Sequence, residues 1–402
     1  MLIEMQERIY MDNNATTPCD PRVLEEMLPY FTQKFGNAAS RSHTFGWEAE
    51  DAVDKARERI AATLGVLPKE IVFTSGATES DNLAIKGIFE AYASKGDHII
   101  TVKTEHKAVL DTCKALQKRG ATVTYLNVDR EGLIDLDELR EAITDKTVLV
   151  AVMWANNETG VIQPMQEIAA ICEEKGVLLF SDATQAVGKI EINPQKTGVH
   201  LLAFSGHKIY GPKGVGGLYV SSAQPRVKLS AQIHGGGHER GMRSGTLNVP
   251  GIVGLGAALD IATKEMKAEA GRVATLRDQL ESGLLTIEEA FVNGSRTRRL
   301  PNVSNLSFRC VEGEKLMATF NQKLAVSSGS ACTSASLDPS HVLTAMGLSD
   351  EMAHSSIRFS LGRFNTAEDV NRAIDLVKTG VEKLRKISPV WEMWKEGLLN
   401  DF

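Results

Sequence analysis

The chain has 402 residues, of which 43% are hydrophobic and 24% are charged, and its formal net charge is −6 at pH 7. A length above the roughly 250 to 300 residues at which one hydrophobic core stops growing predicts two domains. The mildly acidic balance gives no reason to expect nucleic acid or an anionic membrane as a partner, and no apolar run approaches the ~20 residues of a membrane span.

The cysteines are widely spaced and include no CxxC pair, which is typical of free thiols in a reducing cytoplasm rather than of a disulfide framework or a zinc site. They are Cys19, Cys113, Cys172, Cys310 and Cys332. The first residues, MLIEMQERIYMDNN, include acidic side chains and no apolar segment of the kind found in secretory signals. We therefore expect a cytoplasmic protein.

The first part of the chain alternates apolar strands with amphipathic helices. Helices are predicted over 23–31, 48–64, 82–94, 107–119, 136–143 and 165–175. Strands are predicted over 71–74, 98–103, 122–128, 147–154, 177–180, 201–204 and 217–220. Because these strands are almost continuously apolar, the pattern predicts an α/β fold whose mainly parallel sheet is covered by helices on both faces.

The second part of the chain has a different pattern. Residues 234–246, HGGGHERGMRSGT, are dominated by glycine and predict a loop, so its two histidines are not held together for a metal ion. A helix is predicted from 252 into the 280s, a connector over 296–301, strands over 302–308 and 355–362, and a closing helix over 367–384. We expect a large domain over 14–264 and a smaller α+β domain formed by 1–13 and 265–402.

Polar side chains follow four successive strands of the predicted sheet. They are Glu105 and His106, then Asn156, Asn157 and Glu158, then Asp182 and Gln185, and finally Ser205, His207 and Lys208. One polar residue at a strand end usually forms a turn or a helix cap. Because parallel strands bring all of these ends to one edge, four such groups together indicate a functional site.

The loop after the strand at 71–74 has the sequence SGATES and leads into a helix. Free N–H groups in the first turn of a helix form a ready anion site, to which Gly76, Ala77 and Thr78 would contribute. The same residues also read as an ordinary helix cap, so the loop by itself does not decide between the two interpretations.

Residues 327–336, SSGSACTSAS, contain no large apolar side chain, so we expect a mobile segment that is not anchored in a core. Cys332 lies in the middle of this segment, where nothing apolar is available to bury it. Cys172, by contrast, falls on the apolar face of its predicted helix and is expected to be a small buried hydrophobic residue.

The strand-end residues have the side chains that a pyridoxal phosphate enzyme needs. Lys208 would form a Schiff base with the cofactor aldehyde, and Asp182 would pair with the ring nitrogen and keep it protonated. His106 would stack on the ring and act as acid or base, and Asn157 and Gln185 would hydrogen-bond the phenolic oxygen. The candidates for holding the phosphate are Thr78, Ser205 and His207, with Gly76 and Ala77 at the helix start.

Motifs along nearly the whole chain resemble those of the cysteine desulfurases of the IscS/NifS group, which are fold-type I, class V aminotransferase-like enzymes. These motifs are DNNATTP, GNAASRSH, FTSGATESDNLAIKG, TEHKAVLDTC, ANNETG, DATQAVGK, SGHKIYGPKG, GGGHERGMRSGT, AVSSGSACTSAS and HSSIRFSLGR. The resemblance implies a fold-type I transferase with pyridoxal 5'-phosphate as its cofactor.

The resemblance also implies a reaction and its residues. L-cysteine becomes L-alanine, Lys208 takes the Cα proton, and His106 assists proton movement. Cys332 attacks the substrate sulfur as a thiolate and keeps it as a persulfide. Arg358, together with Asn157, binds the substrate, and its planar guanidinium suits a carboxylate.

Further implications of the resemblance concern partners. Family members are homodimers in which a threonine of the glycine-rich loop, here Thr246, reaches the cofactor phosphate of the other subunit. Sulfur passes to an iron–sulfur scaffold protein and other acceptor proteins, and on to tRNA thiolation. The chain has no metal site of its own, although Cys332 could ligate a cluster shared with the scaffold. It ends at LLNDF, short of the tail with which housekeeping members dock the scaffold, so the sequence leaves open whether the usual docking contacts are made.

Other functions have weaker support from the sequence. A selenocysteine lyase or another class V aminotransferase-like enzyme is the nearest alternative, and an aminotransferase has no use for Cys332. A binding or assembly module with a vestigial cofactor site would not need Lys208, Asp182 and His106 together. Nucleotide binding is weaker still, because GPKG lacks the spacing of a P-loop.

Overall fold

The computed structural model describes residues 8–223, 226–328 and 338–398. The strands are β1 (Ile9–Tyr10), β2 (Ile71–Thr74), β3 (His98–Val102), β4 (Thr122–Leu126), β5 (Thr147–Ala151), β6 (Leu178–Asp182), β7 (Leu201–Ser205), β8 (Gly216–Val220), β9 (Ala290–Val292), β10 (Val303–Phe308), β11 (Leu324–Ala325) and β12 (Ser356–Ser360).

The helices are α1 (Pro21–Met27), α2 (Pro29–Thr32), α3 (Thr44–Leu64), α4 (Ala77–Ala91), α5 (Lys107–Gln117), α6 (Leu136–Ala142), α7 (Met165–Lys175), α8 (Pro194–Thr197), α9 (Val249–Leu284), α10 (Gly313–Ala318), α11 (His341–Ala345), α12 (Asp350–His354), α13 (Ala367–Lys386) and α14 (Pro389–Lys395). Short 3-10 turns lie at Pro68–Glu70, Gly206–Lys208 and Glu239–Gly241.

The large sheet has seven strands in the order β2-β8-β7-β6-β5-β3-β4. Strand β8 is antiparallel to both β2 and β7, and the remaining neighbours are parallel, so six strands run in one direction. The predicted α/β class with a mainly parallel sheet is confirmed. The carboxyl ends of β3, β5, β6 and β7 therefore lie along one edge of the sheet.

Helices cover both faces of this sheet, because each strand alternates its apolar side chains between two cores. On one face, apolar side chains of α3, α7 and the first half of α9 pack against residues such as Val150 and Leu202. On the other face, α4 and α5 pack against residues such as Leu149 and Phe180. Cys172 is fully buried in the first of these cores, as predicted.

A smaller three-stranded antiparallel sheet, in the order β12-β10-β9, lies against α9 and α13 and has its own core. Ile9 and Met11 from the start of the chain belong to that core, and β1 pairs with β11. Helix α9 passes without a break from the first core of the large sheet, at Val249, into the core of the small sheet, at Leu284. The predicted division after residue 264 falls inside this helix.

Several element boundaries differ from the predictions for identifiable reasons. The single helix predicted over 23–31 is two helices, because Pro29 starts α2 and cannot continue the hydrogen bonds of α1. Helix α4 begins at Ala77, whereas the prediction began it at 82. The prediction missed the first turn because the sequence ATESD is polar and shows no apolar period. The sequence did not predict β1, β9 and β11 or the short helices α8, α10, α11, α12 and α14. Within the described residues, no helix is long and apolar enough to cross a membrane.

Candidate active site

A cavity of about 600 Å³ lies at the edge where the parallel strands end. The predicted site residues that line it come from α4, from the ends of β3, β5, β6 and β7, and from β12. They are Gly76, Ala77, Thr78, His106, Asn157, Asp182, Gln185, Ser205, His207, Lys208 and Arg358. The structure thus brings together side chains that are up to 282 positions apart in the sequence, from Gly76 to Arg358.

Not every strand-end residue faces the cavity. Glu105, Asn156 and Glu158 are buried beside it. The side-chain oxygen of Asn156 accepts hydrogen bonds from the N–H groups of Glu158 and Thr159 and closes a turn, while the Glu158 carboxyl accepts from the Ser340 hydroxyl. Burial raises the pKa of Glu158 to about 7 and that of Glu105 well above its usual range. These residues shape the edge rather than contact a ligand.

Lys208 ends the 3-10 turn that follows β7, and it projects into the cavity from a half-buried position. Its amine donates hydrogen bonds to the backbone carbonyls of Asn14 and Ala15, at 2.7 Å each. These contacts fix the amine in the cavity wall, where a lysine is placed to attack the aldehyde of a bound cofactor. The segment that holds Lys208 comes from the start of the chain.

Asp182 is the last residue of β6 and is 6% exposed. One of its carboxylate oxygens accepts a hydrogen bond from the N–H of Thr184 at 2.9 Å. The hydroxyl oxygen of Thr184 also lies in the cavity wall and is buried without a protein partner in the described part of the chain. This end of the cavity therefore presents a carboxylate and a hydroxyl to a ligand.

The start of α4 forms the opposite end of the cavity. Gly76 caps this helix with a φ of 153°, which favours glycine, and a Cβ at Gly216 would lie 2.7 Å from the Cα of Gly76. The two glycines therefore allow β8 to approach the helix start closely. The first-turn N–H groups, together with the hydroxyls of Thr78 and Ser205 in the cavity lining, are donors of the kind that bind an anion.

Two histidines line the cavity. The ring Nδ1 of His106 accepts a hydrogen bond from the N–H of Ala108 and thereby caps α5. His207 lies within hydrogen-bond distance of the Thr16 hydroxyl, at 3.1 Å from Nδ1. Burial, followed by the positive charges of Lys208 and Lys213, lowers the pKa of His207 to about 4, so it is neutral at physiological pH.

Arg358 reaches the cavity from β12 of the small sheet. Its guanidinium donates to the Asp12 carboxylate at 2.7 Å and to the backbone carbonyl of Asn157 at 3.1 Å. The Nε of Arg358 is buried without a partner in the described part of the chain. Arg358 itself lines the cavity, where its planar guanidinium suits a small carboxylate.

The two remaining predicted site residues are Thr246 and Cys332. Thr246 is exposed and does not line the cavity, and its predicted role concerns a second subunit. Cys332 lies outside the described residues. The residues on either side of its segment, Ser328 and Asp338, line a second cavity of about 770 Å³.

Asn14 is a central residue that the sequence analysis did not single out. It is 1% exposed, and its side-chain amide donates to the Asn157 carbonyl at 3.1 Å while its own carbonyl accepts from Gln185 at 2.9 Å. Asn302 donates to its side-chain oxygen at 3.0 Å. The polar run DNNATT was a visible signal, but a turn is the ordinary interpretation of such a run.

The cavity fits the pyridoxal phosphate that the resemblance implies. Its anion site at the start of α4 suits a phosphate, Asp182 suits a protonated ring nitrogen, and the Lys208 amine suits the aldehyde. The unpartnered hydroxyl of Thr184 supports the same assignment, because a buried hydroxyl normally finds a hydrogen-bond partner.

Comparisons with known proteins agree with this fit. The family model for aminotransferase class-V matches residues 9–373. A cysteine desulfurase IscS from Methylococcus capsulatus is 59% identical over 394 residues, which cover 98% of this chain and 97% of that protein.

Solved structures show the same similarity. A NifS-like protein is 41% identical with a TM-score of 0.88, covering 94% of this chain and 100% of that one. A structure of SspA in complex with cysteine is 37% identical with a TM-score of 0.79, covering 89% and 100% of the two chains. The chain belongs to the aminotransferase class-V family of pyridoxal phosphate enzymes and, within it, to the cysteine desulfurases of the IscS/NifS group.

Proposed function

We propose that this chain converts L-cysteine to L-alanine and receives the sulfur atom on Cys332. The C–S bond of the substrate breaks and an S–S bond forms, so that cysteine and an enzyme thiol become alanine and an enzyme persulfide without an external oxidant. The single observation that carries the proposal is the cavity in which Lys208, Asp182, Arg358 and the start of α4 meet.

The position of each residue in the cavity determines its role in the reaction. Arg358, which lines the cavity and is held by Asp12 and Asn157, binds the substrate carboxylate. Bound pyridoxal phosphate supplies a ring that accepts the electron pair released at the substrate Cα. Asp182 keeps a positive charge on the ring nitrogen.

Proton transfer falls to two residues of the cavity wall. The amine of Lys208 removes the Cα proton and returns a proton to the carbon that has lost the sulfur. Removing the proton requires an uncharged amine within reach of the substrate. His106 lies on the same wall, at the end of β3, where it moves a proton at the substrate sulfur. The Cys332 thiolate attacks that sulfur, since the thiolate is the nucleophilic form of cysteine.

Further parts of the proposal concern partners and location. The chain acts in the cytoplasm as a homodimer in which Thr246 completes the phosphate site of the other subunit. Its persulfide sulfur passes to an iron–sulfur scaffold protein and to other acceptor proteins. The exposed position of Thr246, outside the cavity of its own chain, supports this arrangement.

The test separates cofactor chemistry from sulfur chemistry. Cys332→Ala removes the nucleophile and leaves every residue of the cavity wall in place, so the variant should keep the yellow cofactor and its spectral response to L-cysteine. Alanine release should fall at least about 100-fold, as expected when a covalent nucleophile is lost. Cys19→Ala, at an exposed position, is the matched control and should behave as the wild type.

Two outcomes would contradict the proposal. Alanine release by Cys332→Ala at the wild-type rate would rule out the persulfide and favour a lyase that releases sulfur directly. Borohydride reduction followed by peptide mapping should place the cofactor on Lys208, and labelling of any other lysine would refute that assignment.

A further inference from the structure

A second lysine, Lys189, contacts two residues that line the candidate active site, Asn14 and Gln185. It follows the turn after β6, four residues beyond Gln185, and the residue as a whole is half-buried. Its amine donates hydrogen bonds to the side-chain oxygens of Gln185, at 2.7 Å, and Asn14, at 3.2 Å. Because both acceptors belong to buried residues, the amine points inward and the exposed part of Lys189 lies elsewhere.

Asn14 connects this amine to the reactive lysine. Lys208 donates to the backbone carbonyl of Asn14, and Lys189 donates to its side chain. Gln185 closes the arrangement, because its amide nitrogen donates to the same Asn14 carbonyl at 2.9 Å. Both lysines also line one small cavity of about 30 Å³, which is large enough for a water molecule. Two amines thus share one asparagine.

The charges around Lys189 disfavour its protonated form. Its two recorded hydrogen-bond acceptors are neutral amides, and the neighbouring positive charges are Lys208 and Arg358. Burial is the main cause that lowers the pKa of Lys189 to about 7, and these two cations add to it. The opposing influence is Glu269.

The groups that face Lys189 across the small cavity do not restore its charge. The Glu269 carboxylate accepts from Arg363 at 2.8 Å, which engages it elsewhere. Tyr210 also lines this cavity, and burial raises its pKa above the usual range, so it stays neutral. Lys189 is therefore poised to lose its proton under conditions in which an ordinary lysine keeps it.

We propose that Lys189 is a positioning residue for Lys208, whose amine holds Asn14 and Gln185 in place and whose protonation competes with a positive charge on the Lys208 nitrogen. This inference rests on the proposed function, in which Lys208 is the reactive lysine. Two ammonium groups that share one asparagine oppose each other's protonation, and a catalytic lysine is useful only when its amine is uncharged.

The first test follows the cofactor absorption band of the full-length, cofactor-loaded enzyme as a function of pH. Lys189→Met keeps the length of the side chain and removes the amine whose protonation competes with that of the Lys208 nitrogen, so the midpoint of the spectral titration should move to higher pH by about one unit. Lys189→Arg keeps a permanent charge, so its midpoint should lie at or below that of the wild type. Lys196→Met, at an exposed lysine seven residues away, should leave the midpoint unchanged.

The second test does not depend on the cofactor. In the cofactor-free chain, the unfolded state binds more protons than the folded state between the two pKa values of Lys189. Folding should therefore become more favourable as pH rises from about 7 to about 10, with the unfolding equilibrium constant falling up to about tenfold per unit. Lys189→Met should lack this contribution, whereas Lys196→Met should retain it.

The outcomes separate the two proposals. A wild-type midpoint in Lys189→Met, or an unchanged pH slope of unfolding, would overturn the role of Lys189 while leaving Lys208 intact. Absence of the absorption band in the wild type loaded with pyridoxal phosphate would instead overturn the proposed function. A midpoint that moves upward in Lys189→Met and not in Lys189→Arg supports the proposal.

Discussion

At the scale of single residues, the site is distinguished by buried groups that lack the partners that buried groups normally have. Asp81 is the strongest case, because it is fully buried in α4 and neither carboxyl oxygen has a hydrogen-bond partner in the described part of the chain. A buried carboxylate without a partner is too costly to stay ionised. Burial, and then the nearby Asp182 and Glu105, raise the pKa of Asp81 well above its usual range.

A neutral Asp81 leads to a prediction about stability and pH. Above about pH 4 the unfolded chain loses the proton of Asp81 while the folded chain keeps it, so stability falls as pH rises, by up to about 1.4 kcal/mol per unit. Asp81→Asn should remove this contribution, so that its advantage over the wild type grows between about pH 4 and the folded pKa. Urea unfolding at several pH values measures the difference, and parallel curves for the two proteins would contradict a protonated Asp81.

A second prediction at the residue scale concerns substrate binding by Arg358. Its planar guanidinium lines the cavity and is suited to paired hydrogen bonds with a carboxylate, whereas a lysine in its place would offer a single point charge. Arg358→Lys should raise the KM for L-cysteine at least about tenfold, the effect of losing one charge-assisted hydrogen bond of ~1.5 kcal/mol or more. The absorption of the bound cofactor should stay as in the wild type. An unchanged KM would exclude this arginine from substrate binding.

At the scale of elements, a buried ion pair ties the glycine-rich loop to the large sheet. Arg57 of α3 contacts both carboxylate oxygens of Glu239, at 2.7 and 2.9 Å, and the same carboxylate accepts from the N–H of Phe73 in β2 at 2.8 Å. The guanidinium also lies 4.5 Å from the centre of the Phe73 ring. This pair fixes the backbone in the middle of the loop that carries Thr246.

Breaking this ion pair should be costly, because the remaining charge would stay buried. Glu239→Gln should lower the free energy of unfolding by about 3 kcal/mol or more. The matched control is Arg59→Ala. Arg59 also lies in α3 and forms a surface ion pair with Glu26 of α1, so its loss should lower the free energy of unfolding by less than about 1 kcal/mol. Denaturant unfolding of both variants tests the difference, and equal losses would show that burial does not strengthen the Arg57 pair.

At the scale of the whole molecule, the active site lies between the large sheet and the small one. Arg358 brings β12 of the small sheet to the cavity, and its contacts with Asp12 and Asn157 join both parts of the chain. Helix α9 packs in both cores, so the two parts share a continuous element as well as a cavity. The position of Arg358, the proposed substrate-binding residue, thus depends on how the two sheets pack.

The proposed dimer gives a prediction at the same scale. If Thr246 completes the phosphate site of the partner subunit, Thr246→Ala should weaken retention of pyridoxal phosphate by about 1 to 3 kcal/mol without unfolding the protein. Thr286→Ala, at an exposed threonine after α9, should have no effect. Equilibrium dialysis of the cofactor and sedimentation measure the two properties, and a fully active monomer would contradict the arrangement.

The sequence by itself determined the elements of the large sheet and most of the residues at its functional edge. Strand β2 and helix α7 have their predicted bounds. His106 and Lys208 follow β3 and β7, and Asp182 ends β6, so all three lie at the predicted edge. Apolar periodicity is a local property, so it can be recognised in the sequence without knowledge of tertiary contacts. Parallel strands then place their ends at one edge, which is why the site could be inferred before its geometry was known.

Only the tertiary structure decided which polar groups support that site. Asn14 contacts Lys208 and Gln185 across more than 170 positions of sequence, and Lys189 turns inward to the same asparagine. The apolar pattern of the sequence does not distinguish a lysine that points inward from one exposed to solvent, because both kinds occur beside small residues in a turn. Whether Asp81 and Lys189 carry charge is likewise decided by burial and by neighbours distant in sequence, which only the packed chain brings together.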